Sequence, residues 1–133
     1  MADNITTTYS GQAAEVLYKH TGLAMLLNKK IKVKLDSREQ ATALRTILTA
    51  FVSSFKPAPE LDVYHQMLVQ ELLQITEKLR SRGFKPNKKT GLSLSLSAAY
   101  ALQVTCDNFP FVDSAVYEET LLMNINEQID KQR

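Results

Sequence analysis

Apolar positions recur along this chain in two rhythms. Ile31-Lys32-Val33-Lys34-Leu35 and Leu92-Ser93-Leu94-Ser95-Leu96-Ser97 alternate with period 2, the pattern of a strand with one buried face. Between and after them the apolar residues fall three and four apart, the spacing of one helix face. After the first strand, Ser37-Arg38-Glu39-Gln40 has the form of a capping box, in which the serine caps the third amide and the glutamine reaches back. The helix it opens carries Ala41, Leu44, Ile47, Leu48, Phe51, Val52 and Phe55 on one stripe. Lys56-Pro57-Ala58-Pro59 ends it, because proline removes a donor and restricts the residue before it.

A second helix is expected from about Pro59 to Arg82, with Leu61, Tyr64, Leu68, Leu72, Ile75 and Leu79 inside and Met67 and Leu73 widening the stripe. Gly83 suits the left-handed residue after a last turn, and Phe84 then packs on Leu79. Beyond the second strand, Ser97 is the expected cap of a helix through Ala98, Ala99, Tyr100, Ala101, Leu102 and Val104, broken by Asp107-Asn108-Phe109-Pro110. Asp113 or Ser114 caps a last helix to about Asp130, with Ala115, Leu122, Ile125 and Ile129 inward. Upstream of the first strand, Ala13, Ala14, Val16, Leu17, Leu23, Leu26 and Leu27 have helical spacing, which Gly22 interrupts.

The expected fold is therefore α+β and mainly helical. Two short half-buried strands, at about 31–35 and 92–96, pack against four or five amphipathic helices in the order (α)-β-α-α-β-α-α. Residues 1–28 form a polar N-terminal segment with a helical stretch, and 29–133 form one globular domain. Ala41-Thr42-Ala43-Leu44 and Ala99-Tyr100-Ala101-Leu102 share an A-x-A-L core, although the strand-to-motif spacing differs by three residues between the halves.

Composition narrows the class. With 133 residues, 44% hydrophobic and 23% charged, the chain suits one soluble domain that needs neither disulfides nor a structural metal. Its single cysteine, Cys106, excludes an intramolecular disulfide framework and a thiolate zinc cage. The run Leu23-Ala24-Met25-Leu26-Leu27 is far short of the roughly 20 residues that span a bilayer. Residues 1–12 lack a basic n-region, so no secretory signal is expected and a cytoplasmic location is.

Little in the sequence points to catalysis. It has no dinucleotide fingerprint, phosphate loop, zinc-protease motif or calcium loop. Lys88-Lys89-Thr90-Gly91 lacks the preceding glycine of a phosphate loop, and a strand follows it where a helix should open. His20 and His65 have no partner at ligand spacing, and Cys106 has no activating base. Glu118-Glu119 and Glu60-x-Asp62 sit near helix starts, where acids favour the dipole. No catalytic, cofactor-binding or metal-binding residue is expected, and no small-molecule substrate or membrane is implied.

Charge is distributed unevenly within a net +2. Residues 78–89 carry Lys78, Arg80, Arg82, Lys85, Lys88 and Lys89 without an acid, whereas 107–130 carry six acids without a base. Lys30, Lys32 and Lys34 share the outer face of the first strand. With the strand–cap–helix junction at Asp36-Ser37, residues 31–82 resemble a ribbon–helix–helix DNA-binding unit, in which strands from two copies pair and enter the major groove. That resemblance implies base contacts from Lys32 and Lys34. The helices here are long for that fold, and the second opens with Pro57-Ala58-Pro59 where small polar residues would grip phosphate.

Two functions remain in view. The first is a small, non-enzymatic intracellular protein that acts through a helical protein–protein surface, on a partner or on further copies of itself. The alternative is a nucleic-acid-binding regulator that uses Lys32, Lys34, Lys78, Arg80, Arg82, Lys85, Lys88 and Lys89.

Overall fold

The two alternating segments pair with each other. In the computed structural model, which describes residues 28–55, 58–81, 90–110 and 115–133, β1 (Ile31–Leu35) and β2 (Thr90–Leu94) form a two-stranded antiparallel ribbon. Ile31 faces Leu94, Val33 faces Leu92 and Leu35 faces Thr90. Ile31, Val33, Leu35, Leu92 and Leu94 are buried against the helices, and Lys32, Lys34 and Ser93 point to solvent. An isolated two-stranded ribbon is marginal in water. This one is stable because its apolar face is part of the single core.

Four α-helices complete the described residues: α1 (Arg38–Ser53), α2 (Val63–Ser81), α3 (Leu96–Asn108) and α4 (Val116–Gln132). The architecture is the mainly helical α+β fold expected. Each strand feeds a helical hairpin, α1 with α2 and α3 with α4, and the hairpins close on each other through α2 with α3 and α1 with α4. The core combines Leu44, Ile47 and Leu48 of α1, Leu72 and Ile75 of α2, Leu102 of α3, and Leu122, Ile125 and Ile129 of α4.

Several boundaries differ from the sequence expectation. The second strand spans Thr90–Leu94, not 92–96, and Leu96 is a half-buried residue in the first turn of α3. Ser95, not Ser97, is the cap, and its hydroxyl accepts from the Ala98 amide at 3.2 Å. Either serine suits a cap by type. Ile31 and Leu94 form the last pair of the ladder, and that leaves Ser95 as the first residue free to turn. The A-x-A-L cores then each begin four residues after their caps, Ser37 and Ser95, so the two halves match more closely than the alternating run suggests.

The second helix starts at Val63, after a 3₁₀ turn at Ala58–Glu60, because Asp62 caps it. Its Oδ1 accepts from the His65 amide at 2.8 Å, and its carbonyl takes the first helical bond from Gln66. The capping box of α1 forms in a shifted version: Ser37 Oγ accepts from the Gln40 amide at 3.2 Å, and Gln40 Oε1 reaches one residue past the cap to accept from the Asp36 amide at 2.8 Å. Ala115 holds the cap position of α4 without a side-chain bond, in place of the expected Asp113 or Ser114. The expectations for residues 10–27, for Gly83 and Phe84, and for Asp113 and Ser114 themselves lie outside the described residues.

The edge of β1 is closed by a side-chain device. Gln128 and Gln132, one turn apart on α4, lie alongside the strand. Gln132 Oε1 accepts from the Lys32 amide at 2.7 Å while its Nε2 donates to the Lys32 carbonyl at 2.6 Å. Gln128 repeats this at Lys34, at 2.8 and 3.1 Å. Two primary amides thus take the place of a third strand on an edge that would otherwise be open to pairing.

Candidate functional site: a trough between α2 and α3

The inner stripe of α2 is narrower than its sequence suggests. Leu68, Leu72, Ile75 and Leu79 are buried, but Tyr64, Met67 and Leu73 are 48%, 60% and 51% exposed. Tyr64 and Met67 instead form one wall of a trough of about 300 Å³, with Leu68 and Ala101 as its floor and Tyr100 opposite. Polar side chains mark its two ends. Near the ribbon, Ser97 Oγ donates to Glu71 Oε1 at 3.4 Å. At the other end Tyr64 and Tyr100 line the trough together, and the Tyr100 hydroxyl, with some desolvation, raises the Tyr64 phenol above its ordinary value.

The tyrosine pair also borders a polar cleft of about 520 Å³ toward α4. There the buried Gln103 donates from Nε2 to Asn126 Oδ1 and Asp130 Oδ1, both at 2.8 Å. Arg133 holds the same Asp130 oxygen at 3.1 Å. Among the described residues no buried side-chain nitrogen or oxygen lacks a partner. The network fixes how α3 faces α4. A further hollow along α2 is lined by that helix and Leu61, so side chains do not converge on it from two elements.

The titratable groups singled out in the sequence can be placed. Cys106 is half-buried on α3, and burial, reinforced by the Asp107 charge, pushes its thiol up to about 12. A thiol so held is not a nucleophile at neutral pH. His65 does have a carboxylate partner, contrary to expectation, since its Nδ1 lies 2.8 Å from Asp62 Oδ1. The pair is the capping residue and the third residue after it, a spacing the sequence does show. Bonds from the His65 amide and ring hold the Asp62 carboxyl below its ordinary value. His20 lies outside the described residues, among which no three His, Cys, Asp or Glu side chains gather to hold a metal.

The basic residues separate into three environments. Lys32 and Lys34 stand on the open outer face of the ribbon beside Ser93 and Gly91. Lys78 Nζ donates to the Ser93 carbonyl at 3.3 Å, at the edge of β2. Arg80 is paired with Glu77, its Nε donating at 3.0 Å. Arg82, Lys85, Lys88 and Lys89 lie outside the described residues. The ribbon also departs from the ribbon–helix–helix arrangement. Both strands come from one chain, and the glutamines occupy the β1 edge, so Lys32 and Lys34 face Ser93 and Gly91 and not a second lysine-bearing strand.

No helix among the described residues is long and apolar enough to cross a membrane. Comparison with known proteins finds no match for this chain among family models, curated proteins or solved structures.

Proposed function

We propose that this chain is a small, non-enzymatic cytoplasmic protein that acts as a receptor for an amphipathic helix, which it seats in the α2–α3 trough. The observation that carries this reading is the exposure of Tyr64, Met67 and Tyr100, between 48% and 60%, around a buried floor of Leu68 and Ala101. A trough of about 300 Å³ is at the small end for a cofactor or metabolite pocket. It suits a few large apolar side chains spaced i, i+3 or i+4, and i+7 on a helix. Glu71 lines it and the Asp62 charge reaches the Tyr64 phenol in its wall, which favours an occupant with lysine or arginine beside its apolar stripe. The protonated Cys106 thiol and the satisfied Gln103 network favour binding over catalysis.

The test uses a fluorescein-labelled model helix with leucine at those positions and lysine elsewhere. Anisotropy should report binding that persists in high salt, is lost in Met67→Glu with Tyr100→Glu, and survives Lys32→Glu with Lys34→Glu. Binding that disappears with salt, or that ignores the trough substitutions, refutes the reading.

One observation favours the second reading, nucleic-acid binding: the outer face of the ribbon, with Lys30, Lys32 and Lys34, is open. Affinity there would come from phosphate neutralisation, with a log–log salt slope of about −0.9 per phosphate contacted on duplex DNA. Lys32→Glu with Lys34→Glu should abolish it without affecting the fold, because both side chains point to solvent.

A further inference from the structure

We propose that the polar cleft beside the tyrosine pair is a subsite of the trough, and that it takes an arginine side chain of the occupant helix. The inference rests on the trough reading above and adds the residue that orients the occupant. Three observations lead to it. The first is continuity. Tyr64 and Tyr100 line both hollows, so the two adjoin at these rings. Both are built on α3, the trough from Ser97 and Ala101 and the cleft from Gln103 and Asp107, which lie further along the helix on the side that meets α4. Ala101 and Asp107 are six residues apart, about 9 Å along a helix, so an occupant reaches the cleft within two turns of its apolar anchors.

The second observation is an acceptor left over on a buried residue. Gln103 is only 7% exposed, and its Nε2 is committed to Asn126 and Asp130. The Asp130 carboxylate fixes that orientation of the amide, since it can only accept. Gln103 Oε1 has no partner among the described residues. No fully buried oxygen there lacks one, so this atom is open to solvent through the cleft that Gln103 lines. The third is the character of the remaining lining. Among the described residues the Asp107 carboxylate receives only a long bond from Asn126 Nδ2, at 3.5 Å. Asn108 spends its Nδ2 on the Val104 carbonyl at 2.7 Å, which leaves its Oδ1 to accept. Two carboxylates, Asp107 and Asp130, stand against one guanidinium, Arg133, which is already paired with Asp130. The cleft thus offers spare acceptors and negative charge, and its volume of about 520 Å³ admits a long side chain. A cation with several donors matches it. Arginine presents its donors in a planar fork, binds a carboxylate through two of them and stacks on aromatic rings such as the tyrosines it must pass.

The experiment titrates fluorescein-labelled helices into the full chain. Each has leucine at i, i+3 or i+4, and i+7 with glutamine elsewhere. One arginine is added a turn before the first leucine or a turn after the last, and norleucine at the same place is the reference. One of the two arginine helices should bind about tenfold tighter than its norleucine partner, the worth of one charge-assisted hydrogen bond. Asp107→Asn should remove most of that gain and leave the norleucine helix unaffected, because Asp107 lies outside the trough. Equal affinity of the arginine and norleucine helices overturns the subsite while the receptor reading stands. A gain shared by both placements, or one that Asp107→Asn leaves intact, also overturns it, because the cation is then held elsewhere on the acidic surface. Should no helix bind, ethylguanidinium is titrated instead and followed by the Gln103 side-chain amide resonances. Saturation in the parent that weakens in Asp107→Asn would keep the cation site and end the receptor reading, and no response would overturn both.

Discussion

Replacing Gln128 and Gln132 together by alanine should both weaken the fold and open a sheet edge. The double variant removes the four hydrogen bonds to the strand, two at Lys32 and two at Lys34. A net intramolecular hydrogen bond contributes about 0.5–1.5 kcal/mol. The bonds lie at an exposed edge, where water replaces the lost partner, so the low end applies and the four together amount to ~2 kcal/mol. Alanine's better helix propensity returns a few tenths of a kcal/mol. For a chain of this length that corresponds to a fall in Tm of roughly 5–8 °C. The two single variants should not sum to the double, because the residues lie one helical turn apart and hold adjacent stretches of the same strand edge. Glutamate at both positions should be worse than alanine. It keeps the acceptors but turns a carboxylate toward the Lys32 and Lys34 carbonyls. Urea denaturation measures the first effect. Light scattering across protein concentrations measures the second, since an uncovered edge recruits further strands. A double alanine variant with the parent's midpoint and no concentration-dependent growth would show that the glutamines lie beside the strand without holding it.

Ser95→Ala should cost about 1 kcal/mol by removing the cap of α3, and Ser97→Ala should be close to neutral in the same denaturation assay. The reverse order would restore the strand to 92–96. Cys106 should resist iodoacetamide in the native protein at pH 8–9, where the denatured protein reacts readily, because burial pushes its thiol up to about 12. Since that thiol ionises near 9 when unfolded, its contribution to stability is complete below pH 9 and is lost as the pH rises toward 12. Cys106→Ala should remove that part of the alkaline decline in the urea midpoint. Asp62 has the opposite sign. Its carboxyl is held below 3.8, so its contribution is present above that pH and fades as the pH falls below it. Asp62→Asn should flatten the acid limb of the stability profile, and an unchanged limb would remove the Asp62–His65 contact from the account.

Local rules in the sequence determined most of the fold. Period-2 alternation set Ile31, Val33 and Leu35 inward and Lys32 and Lys34 outward, because a strand has only two faces. Helical spacing identified Leu68, Leu72, Ile75 and Leu79 as buried, and the Ser37 capping box placed the start of α1. Local patterns could not choose between serines of equal capping ability, and the end of the ladder at the Ile31–Leu94 pair made that choice for Ser95. Nor could they say how much of a broad apolar stripe a neighbour covers. Tyr64 and Met67 look like core residues on a helical wheel, but at their level of the bundle α2 and α3 leave a trough instead of closing over them. Gln128 and Gln132 read as ordinary polar positions near a helix end. Their role arises only when α4 returns alongside a strand about a hundred residues earlier in the chain, where a primary amide has the donor and acceptor spacing of a peptide group. The same holds for the trough that carries the proposed function: its walls come from two helices far apart in sequence, and only their packing brings Tyr64 to Tyr100.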